Sequence, residues 1–538
     1  MLPDFRDYGR LRDAFRWQIP QRYNIATDVC DRWAAIEPNR TAIIEVTNDW
    51  RVTPVSFGHL REQSNRLANA LHVRGVGRGD RIAILLPQGR CVLAAHLAAY
   101  KLGAIAVPLA ALFGVDALAY RLGDSGAKVL MTDAAGLAKT RQIAEPLPEL
   151  ALTISTDGAD GGALGWDAVL ADASRDFTTV DTGPDDPALM IYTSGTTGNP
   201  KGALHGHRVL PGHLPGVQMP HEFMPQPGDL AWTPADWAWA GGLLNMLLPA
   251  LHFGVAVVAR PVTRFEPEEA FRLMADLGIR NAFVPPTALR MLRSIERPRE
   301  RFALALRTVA AAGEALGAET LAWGREALGL SINEAYGQTE CNLVLASCAA
   351  IGVSRPGCIG KAVPGHEVAV IRPDGTVCEA GEEGQIAVRR LDPVMFLGYW
   401  QNPQATAEKF VGDWMKTGDQ AVQDEDGYVR FVGRDDDVIT SSGYRIGPGE
   451  IEDCLLRHEA VSLAAVVGKP DALRTEIVKA FVVLKPGHAG SSELAAELQG
   501  FVRRRLSAHE YPREIAFREE LPLTTTGKII RRLLRAEA

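Results

Sequence analysis

The ten residues from Thr193 to Gly202, Thr-Ser-Gly-Thr-Thr-Gly-Asn-Pro-Lys-Gly, gather four hydroxyls, three glycines and one lysine. Glycine, here Gly195, Gly198 and Gly202, lets a backbone come close to a ligand and adopt positive φ. Successive N–H groups, hydroxyls of Thr193, Ser194, Thr196 and Thr197 and the ammonium of Lys201 make a cradle for a polyphosphate. The apolar run Ala188–Ile191 just before it reads as a buried strand ending in this turn. The Walker order, in which the second glycine is followed directly by Lys-Ser or Lys-Thr, is absent.

Five further stretches, all C-terminal to that loop, carry residues suited to the same ligand. Gly313-Glu314-Ala315-Leu316 follows a strand candidate at 306–311, and Glu334-Ala335-Tyr336-Gly337-Gln338-Thr339-Glu340 follows another at 330–332. Lys416-Thr417-Gly418-Asp419 supplies a carboxylate, a group that takes two hydrogen bonds from a vicinal diol. Gly433-Arg434-Asp435-Asp436-Asp437-Val438-Ile439 runs on to Ser442-Gly443-Tyr444-Arg445-Ile446. Near the end, Pro522-Leu523-Thr524-Thr525-Thr526-Gly527-Lys528 places a lysine in a glycine-containing turn before a basic helix. Each alone has a bland alternative, as a solvated turn or surface charge; together and in this order they do not.

In these motifs and their order the chain resembles the adenylate-forming superfamily of acyl-CoA synthetases, peptide-synthetase adenylation domains and luciferases. The resemblance runs from Tyr192 to Lys528; the first 150 residues fit in length and pattern only. It implies an ATP- and Mg²⁺-dependent acid–thiol ligase. Acyl-AMP and pyrophosphate form first, then acyl-CoA and AMP. By position, Thr193, Ser194, Gly195, Thr196, Thr197, Gly198 and Lys201 cradle the polyphosphate. Gly313, Glu314, Ala315, Tyr336, Gly337 and Gln338 line the nucleotide site. Thr339 meets the α-phosphate and Glu340 binds Mg²⁺, with Thr193 a weaker metal contact. Asp419 holds the ribose, and Arg434 and Arg445 meet ribose or phosphate. Asp436 is the hinge of a rotating small domain, Gly443 and Tyr444 border the coenzyme A arm, and Lys528 is the catalytic lysine. A flexible ammonium can bridge a carboxylate and an α-phosphate as charge moves between them.

These residues need a scaffold that presents loops side by side. From about 40 to 345, short apolar strands alternate with helical patterns, as in Arg81–Leu86, the helix-like 90–102 and Gly103–Leu109. Such alternation predicts parallel sheets covered by helices. Residues 355–433 change to short alternating strands around Asp374-Gly375 and Asp426-Gly427 turns, an antiparallel or barrel-like segment. Beyond 435 the pattern is mixed: helix 448–458, strands 461–467 and 478–484, helix 491–507 and a basic tail. The expected architecture is α/β. A large domain, 1–434, holds doubly wound, mostly parallel sheets and a distorted β-barrel; a small mobile α+β lid, 435–538, carries Lys528.

The acid is addressed by Trp232–Gly242, which resembles the pocket segment of acetyl- and medium-chain acyl-CoA synthetases. Ala240, Gly241, Ala312 and Gly337 stand where the acetyl enzymes carry valine, threonine, valine and tryptophan, so the resemblance implies a larger pocket. Each buried methylene contributes roughly 0.8 kcal/mol, which favours longer acids. Trp237 and Trp239 are the residues able to refill the space. Medium-chain fatty acids fit best; branched short-chain or benzoate-like acids compete. Two rivals remain: an adenylating enzyme with another acceptor, such as a carrier protein in trans or oxygen, and a non-catalytic nucleotide- or acyl-binding protein. Lys528 also resembles lysines that protein acetyltransferases modify.

A net charge of −8 gives no basic footprint for nucleic acid. The charged start and the interrupted apolar stretches 91–115 and 241–259 predict neither a signal peptide nor a membrane span. Seven cysteines without a Cys-x-x-Cys pair argue against a disulfide framework and predict a cytoplasmic protein. A homo-oligomer stays open.

Overall fold

The computed structural model describes the chain except residues 194–198, 263, 315, 435–436, 442–443, 472–473, 507–510 and 525–527; at 440, 444, 445 and 450 only the backbone is described. Two large sheets organise the first part. One has nine strands, in the order Lys361–Ala362, Asn342–Ala346, Ile332–Gln338, Thr308–Ala312, Asn281–Phe283, Leu230–Trp232, Ala256–Ala259, Thr41–Val46 and Val52–Ser56. Its strands from Ile332–Gln338 to Thr41–Val46 are parallel and its edges antiparallel. The other has eight strands: Gly398–Tyr399, Lys201–Gly206, Pro187–Thr193, Ile105–Pro108, Arg81–Leu85, Val129–Thr132, Leu152–Ser155 and Leu164–Gly165. It too is parallel from Pro187–Thr193 onward.

The two stretches long enough to mimic spans are core. Helix Arg90–Lys101 and strand Ile105–Pro108 are almost wholly buried. A continuous helical run, Ala240–His252, leads to strand Ala256–Ala259. One apolar core joins these elements to both sheets, through residues such as Ile43, Val92, Leu97, Ile191, Leu244 and Val257. Among the described residues no helix is long and apolar enough to cross a membrane.

The third sheet is antiparallel: Val368–Ile371, Glu383–Arg389, Trp414–Gln423 and Phe410–Val411, with Val429–Arg434 also paired to Trp414–Gln423. Its antiparallel pairing matches the barrel-like expectation. The fourth sheet uses Tyr444–Ile446, Ile439–Ser441, Thr475–Leu484, Val461–Asp471 and Glu514–Arg518. Helices Pro448–Leu456 and Ser492–Arg505 pack on it around Ile451, Leu455, Val466, Val482, Leu498 and Val502. Its central hairpin is longer than the sequence suggests, because Gly468 looks like a strand end. It is in fact paired with Val478; a Cβ there would meet Glu476 Oε1 at 2.4 Å, the end of a flexible side chain that can move aside. The helix expected over 491–507 is described as far as Arg505, and residues 507–510 lie outside the described ones.

Candidate active site

The candidate residues gather at the carboxyl ends of adjacent parallel strands, where open α/β sheets place ligand sites. Strand Thr308–Ala312 ends at Gly313, and its neighbour Ile332–Gln338 ends at Thr339 and Glu340; Ala312 stands opposite Ala335 in the register. Gly313 has φ of 102°, a conformation open to glycine but strained for other residues. The third sheet closes the far side. Its Asp419, on Trp414–Gln423, stands opposite Arg434 on Val429–Arg434.

Asp419 is the best-defined centre. Its Oδ2 accepts from Tyr336 Oη at 2.5 Å and from Gln338 Nε2 at 2.7 Å. Its Oδ1 lies 3.7 Å from Arg434 Nη1. Burial raises its carboxyl pKa, while Arg434 and the two side-chain donors pull it back down. The neighbouring Tyr336 phenol is driven up by burial and by Asp419. A carboxylate held by two donors and a guanidinium is oriented before any ligand arrives.

Lys528 comes to the same place from the other end of the chain. Residues 523 and 529 form a bridge, Lys528 N donates to Thr524 Oγ1 at 3.0 Å, and Thr524 N donates to Lys528 O at 2.7 Å. The Lys528 side chain reaches the cleft beside Gly313, where a Cβ would stand 3.9 Å from Lys528 Nζ. The residue keeps solvent access, so it stands in a crowded cleft rather than a dry core. Crowding lowers its ammonium pKa, Glu314 and Asp419 raise it, and Arg434 lowers it. The basic tail is fixed to the fourth-sheet domain. Arg531 bridges Glu452 at 2.7 Å and Asp437 at 3.6 Å, and Arg535 also pairs with Asp437.

Glu314 is held by Arg290 at 2.6 Å and by the Thr287 hydroxyl at 3.0 Å. Thr193 Oγ1 lies 3.4 Å from Lys201 O, across the mouth of the loop. The centre of the phosphate cradle expected from the sequence, Ser194, Gly195, Thr196, Thr197 and Gly198, lies outside the described residues. So do Ala315, Asp436 and Gly443, and the side chains of Tyr444 and Arg445. A cavity of about 350 Å³ flanks the phosphate loop, lined by Tyr120, Asp124, Asn199, Lys201 and Trp400. None of the acyl-segment residues lines it.

The acyl segment differs from its sequence reading in how space is filled. Trp237 is a core residue, 1% exposed, while Trp239 packs edge-on to Phe113 at 5.6 Å. A Cβ at Gly241 would stand 3.3 Å from the Phe283 ring, so a ring faces the position that lacks a side chain. At Gly337 a Cβ would fall 1.2 Å from Asn342 O. That glycine is required by the approach of the adjoining strand, a reason independent of pocket width.

Sequence reasoning missed Phe283, Arg290, Asp453 and Tyr399. Asp453, on helix Pro448–Leu456, approaches Gly317, where a Cβ would meet its Oδ1 at 3.0 Å. Burial and Glu452 push its carboxyl up to about 6, against the pull of Arg290 and Arg457. Tyr399 donates to Glu340; the aromatic, turn-rich run Gly398-Tyr399-Trp400-Gln401-Asn402 is the signal that could have found it.

Among the described residues no group of three or more His, Cys, Asp or Glu is placed to hold a metal by itself. A single carboxylate, Glu340, fits Mg²⁺, which takes its other ligands from phosphate and water.

Comparison with known proteins agrees with this geometry. The family described as AMP-binding enzyme matches residues 30–400, and the AMP-binding enzyme C-terminal domain matches 450–528. A mitochondrial acyl-coenzyme A synthetase of Homo sapiens is 35% identical over 552 residues, covering 99% of this chain and 93% of the relative. An acyl–CoA ligase of Bacillus subtilis (strain 168), itself uncharacterized, is 33% identical over 518 residues, covering 96% of both. The crystal structure of an anthranilate CoA ligase in complex with anthranoyl-AMP superposes with a TM-score of 0.89 at 28% identity, over 96% of this chain and 98% of that one. The chain therefore belongs to the AMP-binding, adenylate-forming family of acyl-CoA ligases.

Proposed function

We propose that the protein joins a medium-chain fatty acid to coenzyme A at the expense of MgATP. The seat of Lys528, between Gly313 and the Asp419–Arg434 pair, carries the reading, because it suits the first half-reaction. A substrate carboxylate oxygen attacks the α-phosphorus, the bond from phosphorus to the pyrophosphate oxygen breaks, and acyl-AMP and pyrophosphate result. Lys528 neutralises charge on the attacking carboxylate and α-phosphate. Asp419 takes the ribose hydroxyls, and the loop Thr193–Lys201 holds the outer phosphates. Glu340, beside Thr339, holds Mg²⁺, which when bound offsets phosphate charge.

In the second half-reaction the 435–538 unit turns about Asp436, withdraws Lys528 and brings Gly443 and Tyr444 to the cleft, with Arg445 facing phosphate. One cleft then serves both steps. The coenzyme A thiolate attacks the acyl carbonyl, the bond to AMP breaks, and AMP departs. Loading of a carrier protein in trans uses the same chemistry on another thiol. Acetylation of Lys528 would remove its charge and stop the first step alone. The seven cysteines, free among the described residues, suit a reducing compartment such as the cytoplasm.

The small residues Ala240, Gly241 and Ala312 support a pocket deeper than one for acetate. A second reading, a flat aromatic acid, is favoured by the Phe283 ring against Gly241 and by the likeness to the anthranilate ligase. Purified protein with MgATP, coenzyme A and acids from acetate to dodecanoate plus benzoates separates them. Acyl-CoA formation peaking at about six to ten carbons supports the fatty-acid reading. A peak at benzoates supports the second, and a peak at acetate contradicts both.

A further inference from the structure

The segment 396–400 is laced to both halves of the phosphate site. Phe396 N donates to Glu340 O at 2.8 Å, Leu397 N to Leu204 O at 2.7 Å and Trp400 N to Gly202 O at 2.7 Å. Its centre, Gly398–Tyr399, is a short strand antiparallel to Lys201–Gly206, with Tyr399 opposite Ala203. This pairing puts the Tyr399 side chain between two charged groups. Its hydroxyl donates to Glu340 Oε1 at 2.5 Å, and Lys201 Nζ stands 5.3 Å from the ring centre. Phe396 backs the ring edge-on at 5.0 Å. Glu340 is only 7% exposed, so its carboxylate has lost most of its water. No other described side chain is hydrogen-bonded to it.

We propose that Tyr399 is a positioning residue for the cation site: its phenol fixes Glu340 Oε1 and so the orientation of the carboxylate that would hold the divalent cation of the nucleotide. The inference rests on the assignment of that cation to Glu340. A hydrogen bond to a ligating carboxylate fixes its orientation, and losing such a partner typically weakens metal binding about ten- to a hundredfold. The phenol does not touch the reacting atoms. Tyr399 therefore acts through Glu340.

Calorimetric titration of the full chain with ATP, with and without Mg²⁺, tests this in Tyr399→Phe, Glu340→Gln and the double variant. Tyr399→Phe keeps the ring face for Lys201 and removes the hydroxyl alone. It should weaken MgATP binding about tenfold or more while leaving metal-free ATP binding unchanged. The double variant should bind MgATP no more weakly than Glu340→Gln. If Tyr399→Phe does not fold, Tyr399→Trp, which also lacks the phenol, should give the same pattern. An unchanged MgATP affinity in the phenol-free variant overturns the inference. So does an equal loss with and without the metal, which is the mark of a merely structural residue. If Glu340→Gln leaves the Mg²⁺ dependence intact, the cation assignment itself fails.

Discussion

A Cβ added at Gly313 would stand 3.9 Å from both Cε and Nζ of Lys528. A residue at the end of a sheet strand and a residue near the end of the chain thus meet in one cleft, with Asp419 and Arg434 close enough to act on the ammonium. Lys528→Ala should slow pyrophosphate release on ATP and acid by about a hundredfold or more. Conversion of supplied acyl-adenylate to acyl-CoA should stay near the wild-type rate. Equal losses in both half-reactions, measured by single-turnover quench, would show that the lysine serves the fold or both steps.

The pH profile follows from the same neighbourhood. Crowding lowers the Lys528 pKa from the ordinary 10.5, so the charged form is present at low pH and lost earlier than usual as pH rises. The first half-reaction should fall on the alkaline side below the pH of an ordinary lysine. Lys528→Arg should lower the maximal rate and move that limb upward, because a guanidinium keeps its proton. An unmoved limb would assign the titration to another group.

Asp419 tests the nucleotide side. Replacing it with alanine leaves Tyr336 and Gln338 without their acceptor and removes the partner facing Arg434. Hydrogen bonds to charged groups contribute about 1.5–3 kcal/mol each. The KM for ATP should rise roughly ten- to a hundredfold, with a smaller change in KM for the acid. A rise confined to the acid would place the ribose elsewhere.

Residues differ in how legible they are in the sequence, and the reason is physical. Thr339 and Glu340 sit in the turn that ends a strand, Asp419 follows the positive-φ Gly418 within one, and Lys528 stands beside the bridge between residues 523 and 529. In each case a short motif fixes the chemistry locally, and the sequence points to all of them. Tyr399 and Arg290 cannot be found that way. Their roles come from pairing across the chain, Tyr399 to Glu340 and Arg290 to Glu314; the aromatic run around Tyr399 marks the residue but not its partner. Gly337 shows the converse. Its missing side chain reads as pocket space, yet the Asn342 carbonyl already occupies the Cβ position. Phe283 likewise fills space facing Gly241 from a different strand.

The Asp453 carboxyl should make stability pH-dependent. Its pKa is raised to about 6 by burial and Glu452, so the packed state disfavours its ionised form. Below the ordinary carboxylate value of 3.8 it is protonated whether packed or free and has no effect. As pH rises toward 6 the penalty grows, and above that it is constant. Asp453→Asn should therefore raise stability in mildly alkaline buffer, on the order of 1–3 kcal/mol, with the gain vanishing below the ordinary carboxylate range. Melting curves of both proteins across that range measure it. A variant less stable in alkaline buffer would show that the attraction of Arg290 and Arg457 outweighs burial.

The central claim is that this cleft activates a carboxylic acid through its adenylate, and isotope transfer tests it most directly. Octanoate labelled with oxygen-18 in its carboxylate, turned over with MgATP and coenzyme A, should leave one labelled oxygen in the phosphate of AMP and none in pyrophosphate. Unlabelled AMP, or label appearing in inorganic phosphate beside ADP, would contradict attack of the acid on the α-phosphate.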